Sequence, residues 1–106
     1  MSGLGHFGLQ QLKDRLTPGT LLTCVKNTYL PYRDGTQHYI TGMHREQIGC
    51  QRLTDGVRPP RGEGAVSIML PERADLVWID RDTVRWPLGI GAHTVTYYIG
   101  GAACAG

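Results

Sequence analysis

Serine is nearly missing from this chain: only Ser2 and Ser67 occur. Ser2 lies at the terminus and Ser67 sits mid-run in AVSIML, with no sharp glycine-flanked elbow to expose a nucleophile. Cysteine is also sparse. Cys24, Cys50 and Cys104 make an odd set with no CxxC pair, which argues against a disulfide framework and suits a reducing compartment. Cys24, His38, His44 and Cys50 are ligand-type side chains, but they lack the close pairs a tetrahedral zinc site uses, so no metal is expected. Long apolar runs are missing too. No window approaches the roughly 18 residues of a membrane span, and MSGLGHFGLQQLKDRL has neither the basic nor the apolar region of a secretory signal. A cytoplasmic protein is expected, or one of the host cytoplasm or the virion if it is viral. Strong charge is absent as well. Eleven Lys and Arg face nine Asp and Glu, a net charge of +2, which permits a phosphate-bearing partner without demanding one.

What the chain does have is 15 glycines, six prolines and many short apolar runs in 106 residues. That length predicts one domain, and that punctuation predicts a mainly β chain rich in tight turns. Leu9, Leu12 and Leu16 share one face of a short helix expected at about 8–16, which Thr17-Pro18-Gly19 stops. The helix is expected to plug one end of a barrel. Strands are expected at 20–29, 36–43, 46–53, 65–70, 76–79, 83–88 and 93–99. Asp34-Gly35, His44-Arg45 and Thr54-Asp55-Gly56 mark turns between them. The segment VRPPRGEG at 57–64 reads as an exposed loop and the most mobile region. The stretch from 74 to 100 holds Trp78 and Trp86 and the clearest strand–turn rhythm, and reads as the frame of the fold.

Two segments carry a resemblance. PGTLLTCVKNTYLPYRDGTQHYIT places Gly19-Thr20 before an apolar strand, then Asn27-Thr28-Tyr29 and Pro31, then Gly35-Thr36 before a second strand. Leu70-Pro71, Ala74-Asp75, Trp78, Asp80, Asp82-Thr83 and Arg85 follow downstream. This pattern, over about residues 19–99, resembles small SH3-like or KOW-like β-barrels and is similar to short proteins of unknown function from high-GC actinobacteria and their phages. The resemblance implies a binding module, a function that is a fold-level analogy. A small SH3-like β-barrel of about six short antiparallel strands is expected over 19–100; outside it, the leucine spacing gives an N-terminal arm and short helix over 1–18, and the lack of periodicity gives a flexible tail over 101–106. Unlike KOW modules, the first loop has no basic cluster: Arg33 stands alone beside Asp34.

The remaining chemistry-bearing residues read as structural. Asp75, Asp80 and Asp82 are expected to cap turns and to pair with Arg73, Arg81 and Arg85. Gly89-Ile90-Gly91 precedes a strand, so it reads as a hairpin turn and not as a phosphate loop. Cys50 beside His38 or His44 lacks any motif for an activated thiolate. No catalysis and no cofactor are expected. The candidate binding surface is the set Tyr29, Tyr32, Arg33, Tyr39, Arg45, Arg52, Arg58 and Arg61, in or beside the loops of the first half. Arg with Tyr suits protein hot spots and equally phosphate pairing with base stacking. The expected role is protein–protein binding or assembly in a phage or mobile-element setting, with nucleic-acid binding as the alternative. Salt sensitivity separates the two.

Overall fold

A computed structural model describes residues 8–102. One short helix, α1 (Leu9–Arg15), precedes seven strands: β1 (Thr20–Asn27), β2 (Gln37–His44), β3 (Gln47–Arg52), β4 (Ala65–Met69), β5 (Val77–Asp80), β6 (Thr83–Pro87) and β7 (Thr94–Ala102). They form one sheet in the order β4-β3-β2-β1-β7-β6-β5, with every neighbouring pair antiparallel. The expected mainly β chain with one N-terminal helix is what folds, with seven strands where about six were expected. Each of the seven stretches read as strands forms one; β5, at the stretch expected over 76–79, pairs with β6.

The seven strands form an open sheet. β4 and β5 occupy its two borders, and alternating antiparallel pairing makes them run in the same direction. Joining two parallel strands side by side takes a crossover of about a dozen residues or more. Only residues 70–76 connect β4 to β5, and Pro71 withholds a donor where β4 would otherwise continue.

Period-2 alternation puts one face of each strand inside. Leu22 and Cys24 of β1, Ile40 of β2, Ile48 and Cys50 of β3, Val84 and Trp86 of β6, and Val95, Tyr97 and Ile99 of β7 build the core. Helix α1 joins this core through Leu12 and Leu16, with Leu9 packed partly buried against it. Leu12 is fully buried and Leu16 is 2 % exposed. Gln11 helps start the helix by accepting a hydrogen bond from the Gly8 N–H at 2.8 Å.

Two long-range ties hold the helix in place. Trp78 Nε1 donates to the Gly8 carbonyl at 3.2 Å. The Arg15 guanidinium donates to Asp82 Oδ1 at 2.8 Å and to the Arg81 carbonyl at 2.7 Å. Asp82 therefore pairs with the helix and not with the nearby Arg73, Arg81 or Arg85. Asp80 does cap its turn, accepting from the Asp82 N–H at 2.9 Å, and these turn donors hold its carboxyl below its ordinary pKa.

At the other terminus β7 runs to Ala102, two residues into the segment expected to be a flexible tail. The rest of that expectation, at 103–106, and the N-terminal arm at 1–7 lie outside the described residues. No helix among the described residues is long and apolar enough to cross a membrane.

Candidate functional site

The connection between β1 and β2 is built on two side chains. Asn27, buried at the end of β1, accepts at Oδ1 from the Tyr29 and Leu30 N–H groups at 3.0 and 2.7 Å. Its own N–H donates to Asp34 Oδ1 at 2.7 Å. This side-chain-made turn leads into a single 3₁₀ turn at Pro31–Arg33. Gly35, at φ +87°, then lets the chain enter β2, with its N–H on the Cys24 carbonyl at 2.6 Å. The result is a rigid loop that holds Arg33 half-buried and leaves Tyr29 and Tyr32 exposed.

Register then decides what Arg33 meets. β2 pairs His38 with Leu22 on one side and with Arg52 on the other. Leu22, Cys24, His38, Ile40, Cys50 and Arg52 therefore fall on one face, and at the end away from α1 the floor changes from apolar to Cys24, His38, Arg52 and Tyr97. A cleft of about 520 Å³ opens there. Trp86 and Tyr97, with ring centroids 5.1 Å apart, form an aromatic wall, and Arg33 and Arg52 both line the space. Glu72 and Asp75, from the β4–β5 connection, stand at its exposed rim.

The cleft lining carries charge of both signs, Arg33 and Arg52 against Glu72 and Asp75. Among the described residues neither Arg33 nor Arg52 makes an ion pair; the pair present is Arg15 with Asp82. Arg52 Nε is buried without a hydrogen-bond partner among those residues. His38 is 5 % exposed and its Nδ1 donates to the Leu22 carbonyl at 3.3 Å. Burial holds the His38 pKa below its ordinary value, and the Arg52 and Arg33 charges push it the same way against the pull of the Leu22 carbonyl. Burial also raises both thiols, Cys50 to about 11, so each is held protonated, the reverse of a nucleophilic thiolate. Among the described residues no group of three or more His, Cys, Asp and Glu could hold a metal ion.

His38 supplies a pH test. Its folded-state pKa is depressed, so on acidification the unfolded chain takes the proton first. Stability from this residue is then present above the unfolded value of 6.5 and is lost as pH falls below it toward the folded value. The groups facing it are Arg33, Arg52, Cys24 and Tyr97, none of which supplies a carboxylate to reverse the sign. From about pH 7.5 to about pH 5, the urea midpoint of the wild type should fall more steeply than that of His38→Gln. Parallel curves would show that His38 is not held neutral by the fold.

The structure divides the eight residues of the expected surface. Arg33 and Arg52 converge on the cleft. Tyr29 and Tyr32 stand outside it on the neighbouring loop; Tyr29 packs edge-on against His93 at 5.1 Å, and the Arg33 guanidinium lies 5.9 Å from the Tyr32 ring. Tyr39 and Arg58 belong to the opposite face of the sheet, where the guanidinium stacks on the ring at 4.1 Å. Arg45 is at the tip of the β2–β3 turn, at the far end of those strands, with φ +57°. Arg61 is exposed in the 57–64 loop.

That loop, read as mobile from its prolines and glycines, is bonded to the sheet through one side chain. Gln51, 4 % exposed on the outer face of β3, donates through Nε2 to the Pro60 and Glu63 carbonyls at 3.0 and 2.9 Å. Its Oε1 accepts from Arg58 Nε at 2.6 Å. The cleft also gathers Cys24, His38, Trp86 and Tyr97, which lie outside the expected surface. The alternation that places them inward was visible; the strand order that gathers them was not. No family model, curated protein or solved structure matches this chain.

Proposed function

We propose that the protein is a non-catalytic binding module whose cleft receives an extended segment of a protein partner, laid along the free edge of β4. The observation that carries this reading is the way β4 borders the cleft. Consecutive residues Val66 to Glu72 line it, including Ser67 and Met69, whose side chains alternate to the outer face. It is the edge of the strand, with its backbone, that faces the cleft.

The hydrogen bonding agrees. Arg52 N–H donates to the Gly64 carbonyl at 2.9 Å and Leu70 N–H to the Glu46 carbonyl at 2.8 Å. In an antiparallel ladder the alternate residues point the other way. Ala65, Ser67 and Met69 therefore turn their N–H and C=O groups outward, and β4 has no second strand neighbour among the described residues. An unpaired edge beside a cleft is the setting in which a peptide adds as a further strand, its backbone supplying affinity and its alternate side chains entering the cleft. An SH3-like barrel left unclosed between β4 and β5 would present such a seam, and a partner strand there suits an assembly protein, including one of a phage or mobile element.

The test is a displayed library of extended peptides selected on the immobilised protein, with hydrogen exchange on the selected complex. Slowed exchange at Ala65, Ser67 and Met69 is expected. Ser67→Pro should preserve the fold, because this N–H is unused in the ladder, and should weaken peptide binding by about tenfold or more, since it removes a donor and puts a ring against the incoming strand. Selected peptides that leave these three amides unprotected would refute the reading. Tight capture of a single-stranded oligonucleotide, falling steeply with salt and dependent on Tyr32 and Arg33, would replace it with the nucleic-acid alternative.

A further inference from the structure

We infer that Arg33 and Arg52 form a carboxylate pocket at the end of the cleft away from α1, so that the bound segment presents a terminal or side-chain carboxylate there beside an apolar residue. This rests on the reading that the cleft takes an extended segment, and it adds the chemistry that segment must carry.

Three observations converge. Two guanidinium-bearing side chains line one cleft with no ion-pair partner among the described residues. One of them, Arg52, has its Nε buried without a hydrogen-bond acceptor among those residues. A buried, unsatisfied donor on a permanently charged group is costly, and a carboxylate is the acceptor whose geometry suits a guanidinium. Trp86 and Tyr97 form an aromatic wall beside the same end. An apolar side chain can pack there while the oxygens reach the arginines.

The placement also sets a direction. Arg52 lies beside the beginning of β4, where its N–H is bonded to Gly64. A strand running antiparallel to β4 brings its C-terminal end to that point, whereas a parallel one brings the positive end of its backbone toward two arginines. For a terminal carboxylate the pocket therefore selects the antiparallel arrangement. Glu72, two residues past the last ladder bond of β4 at Leu70, suits the opposite end of such a segment and repels a second carboxylate there.

The experiment uses small probes, so that it does not depend on finding the partner. N-acetyl-phenylalanine offers a terminal carboxylate and an aromatic ring, and its C-terminal amide is the neutral counterpart. N-acetyl-glutamate α-amide offers a side-chain carboxylate. Each is titrated to about 10 mM against the isotope-labelled protein, following backbone amides and arginine Nε–H signals. The expected result is saturable movement of the Arg52 Nε–H signal and of the amides of Val66, Tyr97 and Trp86 with one or both carboxylates. Affinity for the better carboxylate should exceed that of the neutral amide by about tenfold. Which carboxylate is tighter identifies the source.

Arg33→Gln, on a loop held by Asn27 and Asp34, leaves the core intact and should cost about tenfold in carboxylate affinity. Arg52→Gln reports on the second arm of the pocket if it folds. Equal binding of the amide and the acids, or no shift in the cleft with either acid, would overturn the pocket. Carboxylate binding that survives Ser67→Pro while no displayed peptide is selected would instead keep the pocket and refute the strand-addition reading, so the two failures are distinguishable.

Discussion

Replacing Leu12 by Ala should destabilise the protein by about 2–5 kcal/mol, the range for deleting a buried leucine side chain. Leu12 is fully buried in the core. Helix α1 has only seven residues, too few to persist on intrinsic propensity, so it exists because Leu12 and Leu16 pack. For a domain of this size the loss corresponds to a melting temperature lower by on the order of 10–20 °C. The effect should also be local. Trp78 is bonded to the Gly8 carbonyl beneath the helix, so its fluorescence should shift to the red as the helix loosens, before the sheet melts. Arg15→Ala separates packing from charge. The Arg15–Asp82 pair is part-exposed, with side chains 38 % and 47 % accessible. Screening by solvent limits its worth to about 1 kcal/mol or less. A Leu12→Ala protein that melts within a degree or two of the wild type would show that α1 contributes nothing to the core.

The second large effect is expected at Gln51. A single amide side chain there satisfies the Pro60 and Glu63 carbonyls and the Arg58 guanidinium, and it is almost wholly buried. Gln51→Ala should cost about 2–3 kcal/mol, the sum of several modest hydrogen bonds and of polar groups left under the loop. Its clearest consequence is kinetic. Trypsin cleavage after Arg61 depends on how often the 57–64 loop opens, and losing these bonds should raise that rate by about tenfold or more. The Arg58–Tyr39 stack, at 4.1 Å, should be lost with the loop. Unchanged proteolysis at Arg61 would mean that the prolines alone hold the loop. Neither substitution touches the cleft, so both proteins, where folded, should keep their affinity for the carboxylate probes.

The elements were legible because their signals are local. Leu9, Leu12 and Leu16 at helical spacing predict α1, and the alternation of Val95, Tyr97 and Ile99 against Thr94, Thr96 and Tyr98 predicts β7. Asp55-Gly56 adopts the two positive φ values, +51° and +77°, expected of that pair in a tight turn. The candidate site was half legible. Residue type and loop position point to Arg33 and Arg52. The same signals select Tyr39, Arg45, Arg58 and Arg61, which proximity in sequence cannot distinguish and which the sheet sends to another face or another end. Gln51 gave no signal, since a glutamine in a β run is ordinarily a solvated side chain.

The sequence by itself determined the number of segments, the face each strand buries and the absence of a strong basic field, because those follow from turn residues, period-2 alternation and composition. Tertiary structure decided three things: that the sheet stays open between β4 and β5, that Arg33, His38 and Arg52 share one cleft with Trp86 and Tyr97, and that Arg15 pairs with Asp82. The physical reason is the same each time. Strand order and register bring together residues far apart in the chain, and no local propensity encodes which strand lies beside which. The short link at 70–76 is the exception that could be read both ways: its Pro71 announced the end of β4, but only the parallel sense of β4 and β5 made that end an unclosed edge.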